Sequence, residues 1–322
     1  MHRFTAWLAG LVLGVTSVAA VAQPYPSRPV RLVVGFAPGG AADTVARAMS
    51  DAMGKALGQT IVVDNRPGAG SSMAAEHAAK SPPDGYTVLI ASPSSISVNP
   101  ALNAKLGYKF TDLHPVLKVT KSPLVIAAHP GTGIQSVQDL ITAAKKAPGT
   151  INYASSGIGS APHLGAALFS QVAGVQLFHV PFKGGAPAVQ SVVAGDTQVT
   201  FATPPSVLEL VKAGRLRGLG VSSLQRSPLV PDLPGMVESG LPGYSIDFWY
   251  GLFVPAQTPP DILRKLFDAA TAALRDPAVK QALMRDGTDV DLSPSQEHFA
   301  QFLANDNVFW EKLVKDAGVS KD

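Results

Sequence analysis

The chain has 322 residues, 46% of them hydrophobic, 15% charged and none cysteine, with a formal charge of +3. That length and apolar content suit two packed domains and exclude disorder. The small net charge, without a Lys/Arg-rich run, argues against nucleic acid as a partner. The missing cysteine excludes disulfides, thiolate-held metals, a thiol nucleophile and lipid attachment at a cysteine.

The chain opens on Arg3, an uncharged apolar run from Phe4 to Ala20, and Ala20-Val21-Ala22. This is the layout of a secretory signal peptide. Residues 1–22 are therefore expected to be removed after Ala22, placing the mature protein in the periplasm. No later stretch reaches the 18 or more apolar residues of a membrane span.

From there, short apolar runs alternate with helical patterns. The runs Val30–Phe36, Thr60–Val63, Tyr86–Ile90, Leu124–Ala128, Thr150–Ala154, Gln176–Val180, Val199–Ala202, Leu216–Val221 and Gly251–Val254 read as strands covered on both faces. Val45, Met49, Met53 and Leu57 form one helical stripe. Ser136 is placed to cap a helix that stops at Pro148-Gly149. Thr258 precedes a helix opening at Pro259-Pro260, and Ser293-Pro294-Ser295-Gln296 reads as a capping box before the last helix. The alternation predicts an α/β fold with open, mostly parallel sheets. No Ser/Gly-rich linker divides the chain, so two domains would be joined through strands, as in a protein that closes about a hinge.

Ligands of open α/β sheets sit beyond the carboxyl ends of strands, against helix N-termini. At the first such junction, Phe36, Gly39, Gly40, Ala41 and Asp43 offer backbone N–H groups and a helix dipole suited to an anion, with Asp43 equally readable as a helix cap. At a second, Ser155, Ser156, Gly157, Gly159, Ser160 and His163 bring hydroxyls, glycines and one histidine into a single loop. Phe182 with Lys183-Gly184-Gly185, and Thr203 with Pro204-Pro205-Ser206, complete four polar turns in an apolar chain. Lys183 reads equally as a solvated charge. Converging turns of this kind describe a small-molecule cleft.

Taken together, YPSRPVRLVVGFAPGGAAD, VVDNRPGAGS, PPDGYTVL, INYASSGIGSAPHL, FHVPFKGGAPAV, KAGRLRGLGVSS and SGLPGYSIDFWYGLFVPAQTP resemble the substrate-binding proteins of tripartite tricarboxylate transporters, the Bug receptor family. The likeness runs from Tyr25 to about Gly318. It implies a two-domain, type II-like periplasmic binding protein with a hinge and an interdomain cleft. Residues 23–124 plus 250–322 would form domain 1, and 125–249 domain 2. It further implies that the Gly39-Gly40 to Asp43 loop and the Ser155 to His163 loop together hold a ligand carboxylate. The expected partners are a small di-, tri- or aromatic carboxylate and membrane permease subunits, the protein acting as a monomer without cofactor or metal. A receptor that instead presents itself to a sensor needs the same cleft. One departure stands out: many relatives carry Asp-Asn where this chain has Ala202-Thr203, so a partner for a ligand amine is missing. A serine hydrolase built on Ser155 or Ser156, His163 and Asp43 would lack the G-x-S-x-G elbow. No Walker A, G-x-G-x-x-G or H-E-x-x-H pattern marks a nucleotide or metal enzyme.

Overall fold

The computed structural model describes residues 24–103 and 105–316; the expected signal peptide lies outside them. Two sheets organise the chain. The first has six strands in the order β11-β4-β10-β3-β1-β2, with β1 (Val30–Val34), β2 (Ile61–Asn65), β3 (Thr87–Ala91), β4 (Leu113–Pro123), β10 (Asp247–Pro255) and β11 (Asp289–Val290). The second runs β7-β6-β8-β5-β9, with β5 (Val125–Ala128), β6 (Asn152–Ser155), β7 (Phe178–Pro181), β8 (Val199–Ala202) and β9 (Arg217–Val221). Most strands in each sheet share one direction. β10 and β11 run against the first sheet, and β5 against the second.

Side chains alternate in and out along a strand, so both faces of these strands must find cover. Leu32, Val34, Val88 and Ile90 pack beneath α1 (Ala41–Leu57) and α8 (Pro260–Arg275), through Val45, Met49, Met53 and Leu266. Val33, Leu89 and Phe253 face α2 (Ser72–Ala79) and α10 (Gln296–Asp316), against Ala75, Phe299 and Leu303. The short α3 (Asn99–Leu102) follows a π-helical turn at Ser94–Val98. In the second sheet, Ile126, Tyr153 and Phe201 meet α4 (Val137–Lys146) and α5 (Ala161–Ala173). Ala127, Ala154 and Ala202 meet α6 (Gly185–Ala194) and α7 (Pro204–Lys212) on the other side. α9 (Pro277–Arg285) completes the helices.

One sequence-based boundary moves. The last helix begins at Gln296 with Ser295 as its cap, since Ser295 Oγ accepts from His298 N–H at 3.1 Å; Ser293 Oγ instead accepts from Lys118 N–H. α8 opens at Pro260, as the Pro259-Pro260 pair indicated, and the Thr258 hydroxyl before it donates to the Pro255 carbonyl at 2.7 Å. β4 was not expected at all. Pro115, Lys118, Lys121 and Pro123 break its apolar run, but Lys121 lies on the exposed face and Lys118 pairs with Asp291.

The chain passes between sheets twice, from Pro123 through Leu124 to Val125, and back at Ile246-Asp247. Ser222, fully buried, ties the two passages together. Leu124 N–H donates to Ser222 Oγ at 2.7 Å, and that hydroxyl donates to the Ile246 carbonyl at 2.5 Å. The backbone adds Ser222 N–H to Leu124 O and Ile246 N–H to Ser222 O, at 2.8 and 3.1 Å. Ser222→Ala should leave a buried N–H and a buried carbonyl less satisfied and cost about 1–3 kcal/mol, measured by urea unfolding followed by circular dichroism.

Candidate functional site

The carboxyl ends of β1, β6, β7 and β8 point toward the same gap, and each leads directly into a helix. The N-termini of α1, α5, α6 and α7 therefore meet there, beginning after Gly40, Ser160, Gly184 and Thr203. None of the four is closed by its own capping side chain. Their first turns border a cavity of about 20 Å³ together with Phe36, Gly40, Ala41, Ser156, Ala202, Thr203 and Ser206, with Phe248 and Tyr250 behind. Free N–H groups and the positive ends of the helix dipoles make this an anion-favouring position, worth about 0.3–1 kcal/mol per helix end. Prolines remove some of these N–H groups, Pro162 in α5, Pro187 in α6 and both Pro204 and Pro205 in α7, where the hydroxyl pair Thr203 and Ser206, 3.4 Å apart, contributes instead.

A second cavity of about 220 Å³ adjoins the first and shares Phe36 and Ser156 with it. It is bounded by the Gly68–Ser71 loop, Asn99, Gly157, Ile158, Pro181, Phe182 and Lys183. Between the cavities the facing loops touch through glycines. A methyl group on Gly40 would sit 3.7 Å from Gly185 N, and one on Gly184 would come within 2.8 Å of Ala37 Cβ.

Phe36, Gly40, Ala41, Ser156, Gly157, Phe182 and Thr203 thus stand on cavity walls. The other expected residues stand behind them and hold the loops. Asp43 accepts from Gly39 N–H at 3.0 Å, from Asn65 Nδ2 at 3.0 Å and from Arg47 Nε at 2.9 Å, and so braces the first loop instead of facing the cavity. Burial alone would raise its pKa, but these three donors hold it below the ordinary carboxylate range. Ser160 Oγ donates to the Gly157 carbonyl at 2.6 Å. Ser155 Oγ is 2.6 Å from His179 Nε2 and accepts from Gly157 N–H at 3.1 Å.

His163 turns away from the cavity. Its Nδ1 accepts from Gly159 N–H at 2.9 Å, which leaves the proton of the neutral ring on Nε2. The ring stacks on His179 at 4.1 Å and 5°, and His179 stacks on Tyr153 at 4.9 Å. Burial pushes His163 down to about 3, with His179 beside it adding to the shift, and burial brings His179 down to about 4. Trp249 lies away from the cavities. It packs among Phe253, Phe299 and Phe302 and donates to Asp306 Oδ2, as does Trp310. The Gly68–Ser71 loop and Asn99 carried no signal by residue type; only the glycines of Pro67-Gly68-Ala69-Gly70 marked a turn.

Two α/β bodies, joined by two strand passages and enclosing a cavity rimmed by helix N-termini, define a two-domain ligand-binding protein. The model of the tripartite tricarboxylate transporter family receptor matches residues 45–319, and the chain belongs to this family, which includes the Bug receptors. Receptors of the family are periplasmic. Among solved structures, the periplasmic binding protein BugD is 32% identical, covers 92% of this chain and 100% of its own, and superposes with a TM-score of 0.87. Rpa4515 of R. palustris with adipate is 32% identical, covering 92% and 99%, at a TM-score of 0.88. MatC of Rhodopseudomonas palustris with bound malate is 31% identical, covering 90% and 100%, at 0.85.

The buried histidines carry a pH dependence. Unfolded imidazoles titrate near 6.5, whereas these two bind protons only well below that. The unfolded state then holds more protons in between, and stability falls as pH drops from about 6.5 toward 4. At pH 5 an imidazole kept neutral by folding costs about 2 kcal/mol. Urea unfolding at pH 5 and 7.5 should show this loss, and His163→Asn should shrink the difference between the two pH values.

Proposed function

We propose that the protein captures a small organic carboxylate lacking a cationic amine between its two domains and delivers it to a membrane permease. The observation that carries this reading is the meeting of uncapped helix N-termini on a cavity with no Asp or Glu on its wall among the described residues. Such a wall favours an anion. It leaves an ammonium group without a partner for the hydration it loses. Ala202, at the end of β8, is on that wall. The carboxylates held by Rpa4515 and MatC support the ligand class, and the family's description as transporter receptors supports delivery.

Binding without chemistry is the reading supported where the Ser155 hydroxyl meets the His179 ring. Ser155 is fully buried, and its hydroxyl is engaged by His179 and the Gly157 backbone. The two domains are residues 23–124 with 250–322, and 125–249. They close about the passages at Leu124 and Ile246, and the protein works as a monomer. The ligand is held by Phe36, Gly40, Ala41, Ser156, Gly157, Phe182 and Thr203, with Gly39, Asp43, Ser155, Gly159, Ser160 and His163 acting through the loops they brace.

Calorimetric titration with matched pairs tests the ligand class. Succinate should bind more tightly than aspartate, and glutarate more tightly than glutamate; the opposite order would sink the reading. Ala202→Asp places a carboxylate on the wall and should weaken acid binding by about tenfold, or about 1.4 kcal/mol, while an amine-bearing analogue suffers less. Export is tested separately: mass spectrometry of the periplasmic fraction should find a chain beginning at Gln23, and a full-length cytoplasmic product would refute removal of residues 1–22.

A further inference from the structure

Residues 23–322 contain two tryptophans, Trp249 on β10 and Trp310 on α10, and both direct their indole N–H to the same oxygen. Each donates to Asp306 Oδ2 at 2.8 Å. Asp306 and Trp310 are one turn apart on α10, whereas Trp249 is distant in sequence, so the carboxylate ties the last helix to the strand. That strand is the one by which the chain returns to the first sheet after Ile246. Phe248, beside Trp249 in sequence, stands on the wall of the helix-rimmed cavity. The ring of Trp310 meets Phe248 edge to face, with centroids 6.1 Å apart at 81°. Phe248 in turn meets Tyr250, also on that wall, at 5.8 Å and 78°. Trp310 is 1% exposed and Phe248 2%, so neither ring has solvent to move into. Direct contacts thus run from the cavity wall through Phe248 and Trp310 to Asp306, which lines neither cavity.

A carboxylate in this place is costly. Burial raises its pKa to about 6, although both indoles and Lys118 act to lower it. What it supplies is orientation, because a charge-assisted hydrogen bond fixes the rotation of a ring that packing alone holds only by shape. Few charges surround it. Its neighbours one turn away on α10, Phe302, Leu303, Phe309 and Trp310, are uncharged. From β4, Lys118 faces this region but pairs with Asp291 of β11 at 2.8 Å. Lys121 lies on the exposed face, and His114 faces Glu297 at the start of α10. β10 brings Asp247, near Lys118 and Lys121, and Tyr250, whose buried phenol stays neutral. The Ser94–Val98 turn and α3 bring no ionisable group; Ser97 donates to Asn307. α5 brings His163, which is stacked on His179.

We propose that Asp306 is a positioning residue for the ligand site: its ionised carboxylate orients Trp310, and Trp310 fixes the ring of Phe248 on the cavity wall. When the carboxyl gains a proton, two charge-assisted hydrogen bonds become neutral ones of about half the strength, and the hold on Trp310 loosens. Affinity then depends on a group that never touches the ligand. This rests on the carboxylate-capture reading above and adds a residue that acts on the same site through two others.

The test is calorimetric titration of the mature protein with adipate and, separately, succinate, at pH 7.5 and pH 5. Asp306→Asn keeps the shape and an acceptor oxygen but carries no charge. At pH 7.5 it should bind about threefold more weakly than wild type, since its hydrogen bonds are neutral, and Asp306→Ala about tenfold more weakly, since both indoles lose their acceptor. At pH 5 wild type and Asp306→Asn should bind nearly alike; comparing the two cancels the titration of the acid itself. Trp249→Phe and Trp310→Phe each leave a single tryptophan in the mature chain. The emission of Trp310, alone in Trp249→Phe, should shift when the acid binds, because Phe248 lies between it and the cavity. That of Trp249, alone in Trp310→Phe, should shift far less. Asp306→Asn and the single-tryptophan chains decide the matter should Asp306→Ala fail to fold. Wild-type affinity in Asp306→Asn at pH 7.5, a gap that persists at pH 5, or equal emission shifts in both single-tryptophan chains would each overturn the role of Asp306 while leaving carboxylate capture standing. Binding of neither acid by the wild-type chain would overturn capture itself, and this role with it.

Discussion

The two sheets are tied to each other where the hydrogen bonds of Ser222 join the chain's two crossings between them. The serine follows β9 and lies between Leu124 and Ile246, where the chain leaves the first sheet and re-enters it. Four hydrogen bonds within one buried residue's reach keep the two passages side by side. Two adjacent strands held this way resist separation and shear, yet they tolerate bending about their common line.

That constraint gives meaning to the convergence of helix ends. A single helix terminus is a weak attractor for an anion, and most are satisfied by water or by a cap. Here the termini come from both bodies, α1 from the first and α5, α6 and α7 from the second. Their fields add only when the bodies approach. An anion between them is stabilised by both sides, and so favours approach in proportion to its differential affinity for the closed arrangement. Charge placed on backbone ends also avoids buried ionic side chains, which carry heavy desolvation costs. The acidic side chain in the first turn of α1, Asp43, is spent on Gly39, Asn65 and Arg47.

Much of the fold was legible because parallel strands covered on both faces write continuous apolar runs, and the junctions after them write glycines and hydroxyls. β1, β6 and β8 were found this way, and with them the loops at Gly40 and Ser156. What escaped has physical reasons. β4 runs between β10 and β11 with its lysines turned to solvent or to Asp291, so its sequence alternates and carries prolines. β10 was read as Gly251–Val254, although it begins at Asp247, because polar and aromatic residues precede its apolar part. His163 was legible as a residue of the loop but not as to which way it faces. That direction depends on His179, which stacks on it from a different strand. Likewise the Gly68–Ser71 loop gains its place on a cavity wall only through Asn99, distant in sequence.

The glycine contacts between the facing loops separate two jobs that are often mixed. Gly40 against Gly185 brings backbone to backbone, and Gly184 meets Ala37 and its methyl group, so no long side chains interdigitate at these contacts. Parting such surfaces requires no rotamer changes, so opening should face little barrier beyond the contacts themselves. Side chains at this seam have no room to vary, whereas Ile158, Phe182, Lys183, Ala202 and Thr203 border cavities and can change size or charge without obstructing the seam. The seam between the loops therefore constrains side-chain size, whereas the cavity walls can take a different size or charge without touching it.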